Sequence, residues 1–352
     1  MRLRAGRIAG VDIASTRPDI ASSLLQGRRI EEAQAAVPLL FSVCARSQAA
    51  ASRLACAAAV GLAPDTTSLA QARAALAEET LRETAWQLLL HQPRWMNEAP
   101  TPEATAAARA AQAWRWGDDA AQRQTTPSAA IAQGIFGSTA HAWLQRASWS
   151  DVVAWAAAGE TAAARYLHGL ATVESNTHAD AQTPLLPPPT PGWLAEVATA
   201  AAADPAYARA PLWQGRPAET GALARLQAEA LLGVAPSRPV ARHVARLQEL
   251  ALLLDGRWQP GLGAMTLAPG SGVAWADNAR GLLVHHVQLD GDRVRLYRIV
   301  APTEWNFHPQ GALATGLVDA PVADATAARQ RALRLINSLD PCVSCHVEVA
   351  DA

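Results

Sequence analysis

Residues 273–309 read VAWADNARGLLVHHVQLDGDRVRLYRIVAPTEWNFHP, and after one more stretch of helical text the sequence ends DPCVSCHVEVADA (340–352). The first stretch is rich in Val, Leu and Arg, and Asp290-Gly291 supplies a turn signal within it. Leu283 to Leu289 and Arg293 to Val300 are therefore expected to pair as a β-hairpin. Successive strand residues face opposite sides, so at most one of His285 and His286 faces any site, and neither is read as a ligand.

Outside this region Ala, Leu and Gln dominate, and such side chains lose little rotamer freedom in a helix, so the middle of the chain is expected to be mostly helical. Over 67–92, Ser68 with Gln71 resembles a capping box, and Leu81, Ala85, Leu88 and Leu89 recur at helical spacing until Pro93 stops the run. A second stripe of Val240, Val244, Leu247, Ala251 and Leu254 ends at Asp255-Gly256. A third helix is expected over 324–338, just before the cysteines. Trp86, Trp143 and Trp155 lie in alanine-rich helical text and are assigned to packing, one large ring filling what small neighbours leave. The segment TPLLPPPTPGW (183–193) cannot be helical and is read as a linker inside a single domain spanning 1–352.

The 352 residues are 50% hydrophobic, enough for a large core without disulfide staples. Lys and Arg total 30 against 31 Asp and Glu, so no general electrostatic attraction to nucleic acid or to an anionic membrane is expected. No apolar run reaches the ~18–20 residues of a membrane span, and Arg53 interrupts even AAASRLACAAAVGLAP. MRLRAGRIAGVDIAS at the amino terminus lacks the apolar stretch of a secretory signal, so a cytoplasmic location is expected. In a reducing compartment Cys44, Cys56, Cys342 and Cys345 are ligands, reactive thiols or core fillers rather than disulfides, and Cys56 is read as core.

Taken alone, CVSCH (342–346) has three chemical readings. It matches the pentapeptide that attaches c-type haem, with His346 as iron ligand, but that attachment takes place outside the cytoplasm. As a dithiol the pair works best at a helix amino terminus, whereas here the expected helix precedes it. As a metal site Cys44, Cys342 and Cys345 supply three sulfurs, and adjacent Cys345 and His346 rarely share one zinc.

The carboxyl-terminal text read together, DNARGLLVHHV, then VAPTEWN, then DPCVSC, closely resembles the same region of nickel-iron hydrogenase large subunits over roughly residues 272–345. GRIAG (6–10), LLQGRRIEEA (24–33) and FSVCARSQ (41–48) resemble that family's amino-terminal motifs more weakly. The resemblance implies a mainly α fold with small β elements, a helical bundle core with a carboxyl-terminal β-hairpin, in which the two cysteine motifs meet. In that family four thiolates from two Cys-x-x-Cys pairs bind nickel, and two of them bridge to an iron bearing carbon monoxide and two cyanides.

This chain departs from the pattern at the nickel side. Cys44 stands for the first terminal ligand, Ser47 replaces the first bridging cysteine, and Cys342 and Cys345 keep the second pair. Ala51 stands where the family has histidine, Ala9 where it has glutamate, and Glu348 where a maturation protease reads histidine. The retained residues are those around the iron, namely Arg280, Pro302 and Thr303, which the family sets beside the diatomic ligands. The departures resemble the HupK/HoxV group of hydrogenase accessory proteins. That likeness implies a non-enzymatic scaffold that carries Fe(CN)2(CO) transiently on Cys342, Cys345 and Cys44, with no nickel expected. Its implied partners are the hydrogenase large-subunit precursor and a HypC-type chaperone or HypC/HypD complex. A rival reading is a degenerate hydrogenase-like or thiol redox enzyme using Cys342 and Cys345.

Overall fold

The computed structural model describes residues 1–15, 20–41, 43–117, 126–174 and 183–351. Its contacts gather into two compact units, one of Met1–Ala72, His178–Arg225 and Gly261–Ala352, the other of Arg73–Thr177 and Leu226–Pro260. Four helices are labelled α1 (Ala45–Ala59), α2 (Thr66–Trp86), α3 (Arg238–Leu254) and α4 (Ala325–Leu339). Two short strands, β1 (Arg2–Arg4) and β2 (Arg7–Gly10), open the first unit.

The expected hairpin is part of a larger sheet. Strands β3 (Leu262–Ala268), β4 (Ser271–Asn278), β5 (Gly281–Asp290) and β6 (Arg293–Val300) form an antiparallel meander in that order. Asp290 pairs with Arg293, and Gly291, at φ 59°, supplies the left-handed residue that so short a turn demands. The first two strands escape a propensity reading because their Gly and Ala are poor strand formers. Those small residues serve packing. A Cβ on Gly272 would collide with the backbone of Ala55, Ala58 and Ala59, so α1 lies directly on the sheet, and the Thr266 hydroxyl donates to the Ala58 carbonyl at 2.6 Å.

Another part of the first-unit core joins Val273, Val284, Val300 and Trp305 to Trp193, Leu194 and Val197. These last three belong to a helix over Pro191–Ala203, so the proline-rich segment is non-helical only to Thr190. The Thr190 hydroxyl accepts from the Trp193 amide, and Pro191 stands in the first turn, where a missing N–H costs nothing. The segment lies inside the first unit, with Leu185 bridged to Glu219. A small sheet runs β2-β1-β7, β7 being Ala350–Asp351 parallel to β1, and the amino-terminal amine donates to the Glu348 carbonyl at 2.8 Å. Behind it Ile8 packs with Leu313, Leu317, Ala328, Ala332 and Leu335, which seats α4.

In the second unit the stripe on α3 is buried as expected, together with Arg242, His243, Arg246 and Glu249. His243 shares a hydrogen bond with the Gln92 amide at 3.0 Å, and Arg246 donates to Gln87 at 3.4 Å. Trp143 is packed between Phe136 and Trp155. Trp86 is not a packing residue: it is 45% exposed and donates to His91 at 3.0 Å. Pro93 does not stop the helix either. A π turn over Gln87–His91 leads into a short helix, Gln92–Trp95, that holds Pro93 in its first turn. The start of α2 belongs to the first unit, and there the cap is Asp65 rather than Ser68, its carboxylate accepting from the Ser68 amide at 2.9 Å.

Candidate metal centre

Cys44 is the residue that precedes α1, and Gln48 follows one helical turn later on the same face. From the other end of the chain, α4 is capped by Asp324, runs to Leu339 and stops at Asp340, whose left-handed conformation (φ 52°) turns the backbone toward Cys342. A third segment, Ala301-Pro302-Thr303, leaves β6 and starts the helix Pro302–Asn306. The three segments and the β4–β5 turn surround a cavity of about 130 Å³, roughly ten times the 10–15 Å³ one water needs. Cys44, Arg280, Pro302, Thr303 and Cys342 all line it, with Leu40, Phe41 and Val43 among its apolar walls.

Polar contacts hold these groups in place. The Thr303 hydroxyl is 3.1 Å from the Cys342 sulfur. Arg280 lies 3.7 Å from the Asp340 carboxylate, both side chains largely buried. The Asn278 side-chain oxygen accepts from the amides of Arg280 and Gly281 at 3.0 and 3.2 Å, which fixes the turn that presents Arg280. Gly281 is required there by its φ of 136° and by the Thr220 side chain against it. Asp277 faces the other way, toward Arg225 at 3.6 Å and the Gly261 amide at 3.0 Å. Cys44 occupies the amino-terminal cap position of α1, beside the helix's unpaired amide end.

Cys345 does not line the cavity. It is half-buried against the apolar cluster of Ile8 and α4, and its thiol is raised by that burial and then by neighbouring Cys342. His346 is exposed. Among the described residues no three His, Cys, Asp or Glu side chains group as a metal cluster, so the cavity's own sulfur donors are Cys44 and Cys342. Cys56 is core, as expected, its thiol pushed up to about 11 by burial.

The sequence of a protein expression/formation factor of hydrogenase, HoxV of Cupriavidus necator, is 33% identical over 100% of this chain and 96% of its own length. HupK of Rhizobium leguminosarum bv. viciae, also a hydrogenase expression/formation protein, is 32% identical over 97% of this chain and 93% of its own. The chain belongs to the HoxV/HupK family of hydrogenase expression/formation proteins. The family description "Nickel-dependent hydrogenase" matches residues 258–348, the meander through the cysteine pair. The fold is that of a nickel-iron hydrogenase large subunit: the Ni-Fe-Se hydrogenase from Desulfovibrio vulgaris Hildenborough superposes with a TM-score of 0.57 at 18% identity, covering 97% of this chain and 94% of its own.

Within this HoxV/HupK chain, the position that resembles a bridging cysteine is turned inward. Ser47 is fully buried, donates to the Cys44 carbonyl at 3.0 Å, and is not part of the cavity lining. Its neighbour Gln48 takes the place at the cavity wall, with its amide nitrogen 3.7 Å from the Cys44 sulfur. Gln48 and Asn278, which line the cavity, and Asp340, which faces Arg280, all stand inside the motif blocks, but motif reading assigned them no role. The signal for Gln48 was its spacing of four from Cys44 on one helix.

Proposed function

We propose that this protein is a non-enzymatic scaffold in hydrogenase maturation, holding an Fe(CN)2(CO) unit on cysteine thiolates and passing it to the large-subunit precursor. The observation that carries the reading is the convergence of Cys44 and Cys342, from opposite ends of the chain, on one cavity with Arg280 and Thr303. The names of the full-length relatives support the maturation role. An iron that already bears three diatomic ligands brings most of its coordination sphere with it, so two soft thiolates serve where a bare ion needs more. Arg280 can donate to a cyanide nitrogen, Thr303 can donate to the Cys342 thiolate or to cyanide, and the apolar wall suits carbon monoxide. Cys345, the third thiol of the proposal, stands outside the lining. With fewer sulfurs than a four-thiolate site, the cargo is held reversibly, as handover requires. The partners of this proposal are the large-subunit precursor and an iron-carrying chaperone of the HypC type or the HypC/HypD complex.

Infrared spectroscopy of protein purified from hydrogenase-competent cells tests the reading. Cyanide and carbonyl stretching bands, with iron and without nickel, are expected, and both Cys44→Ala and Cys342→Ala should abolish them. Bands that persist in the double variant, or bound nickel with hydrogen uptake, would refute it.

A further inference from the structure

We infer that Gln48, held by His285 and Tyr297, is a positioning residue for Cys44, its side-chain N–H aimed at the sulfur so that the thiolate stays turned into the cavity. The inference rests on the reading of Cys44 as a metal-binding thiolate. Cys44 and one residue each from α1, β5 and β6 form one continuous string. Gln48 Nε2 is 3.7 Å from Cys44 Sγ, Gln48 Oε1 is 2.9 Å from His285 Nε2, and His285 Nδ1 is 2.9 Å from the Tyr297 hydroxyl.

The direction of the string follows from what each end can do. A thiolate only accepts, so the amide NH2 of Gln48 must face the sulfur and its oxygen must face His285. His285 then carries its proton on Nε2 and donates it to Gln48, which leaves Nδ1 to accept from the Tyr297 hydroxyl. Every donor points toward Cys44. Burial drives His285 down to about 3 and keeps the Tyr297 hydroxyl protonated, so Gln48, His285 and Tyr297 are all neutral.

Packing alone does not call for it. Gln48, His285 and Tyr297 are each essentially inaccessible to solvent, where apolar side chains would fill the space between α1 and the sheet at no desolvation cost. A fully satisfied polar network in such a place fixes one arrangement, and of these three side chains only Gln48 reaches the cavity. The register of α1 on β5 and β6 is thereby converted into the orientation of one amide. Hydrogen bonds to a ligating atom of this kind are what orient a metal's own ligands.

Cadmium(II), a soft divalent probe, tests this on the purified full chain without any cargo. The wild-type protein should give a sulfur-to-cadmium charge-transfer band that shrinks in Cys44→Ala and in Cys342→Ala. Gln48→Glu keeps the shape but turns an acceptor toward the sulfur, and should weaken cadmium binding about 10–100-fold with the band reduced to the Cys44→Ala level. Tyr297→Phe, which removes only the far hydroxyl, should move affinity and band in the same direction, and it decides the matter alone if Gln48→Glu does not fold. Ser271→Ala, beside His286 on the opposite strand face, should change neither. Wild-type affinity and band in folded Gln48→Glu and Tyr297→Phe would overturn the inference while sparing the two-thiol reading. A wild-type band that ignores Cys44 would overturn both.

Discussion

At Thr303 a single hydroxyl separates two roles for the residue, a helix-start side chain or a partner to sulfur. Its 3.1 Å approach to Cys342 favours the second. Thr303→Val keeps the shape and loses the hydroxyl, so iron retained per chain in hydrogenase-competent cells should fall about 10-fold or more, with Thr303→Ser close to wild type. Unfolding free energies should differ by no more than about 1 kcal/mol, since one partly exposed hydrogen bond is lost. Equal iron content in both variants would remove Thr303 from the site. At this scale the motif text located Cys44, Arg280, Pro302, Thr303 and Cys342 together because each lies in a block with unusual neighbours. Gln48, Asn278 and Asp340 stand inside the same blocks, but their part depends on a helix face, a turn amide and a left-handed backbone, which the letters of a motif do not display. The motif text also grouped Cys345 with Cys342 on spacing, whereas the fold places the two side chains in different surroundings.

Among the elements, the α1–sheet contact sets the geometry of the centre. Gly272 is the point of closest approach, and Gly272→Ala would push α1 away from β4 against backbone atoms that cannot yield. Such overpacking should cost about 1–3 kcal/mol in urea unfolding, and it should lower iron retention because α1 carries Gln48 and is capped by Cys44. A variant with undiminished stability and iron would show that α1 is not held by this contact. Periodicity was informative on α3, whose apolar stripe stands out in the sequence, whereas the β5–β6 hairpin was legible from its Asp-Gly turn, β5 itself being buried on both faces. Periodicity was weak for β3 and β4, whose Gly and Ala answer to the helix above them and not to strand propensity. The π turn before Pro93 was invisible for a related reason: proline signals a break, and only packing decides whether a widened turn absorbs it.

For the molecule as a whole, acid should be the most revealing condition. Burial drives His243 and His285 down to about 3 and His286 to about 4, whereas in the unfolded chain each titrates near about 6.5. The unfolded chain therefore takes up protons that the native state refuses. Their contribution is complete above about pH 6.5 and is lost as pH falls from there toward about 4, at about 1.4 kcal/mol per pH unit for each histidine. Urea midpoints measured at pH 7 and pH 5 should show that loss, and His286→Gln should shallow the slope by one proton; a midpoint independent of pH over this window would contradict the buried, neutral state of these rings. The composition announced the large core and mostly helical text, and the motif blocks announced the family. The partition into two compact units had no sequence marker, because the most obvious punctuation, the proline-rich stretch, falls within one of them.

The cavity built from the two extremities of the polypeptide carries a timetable. At about 5–20 residues per second, Cys44 leaves the ribosome on the order of tens of seconds before Cys342 is made. Until then one wall of the cavity does not exist, so Cys44 spends that interval without the surroundings that later enclose it. Closing of the cavity is thereby a late event in the life of the chain, set by the distance in sequence between its two sulfurs.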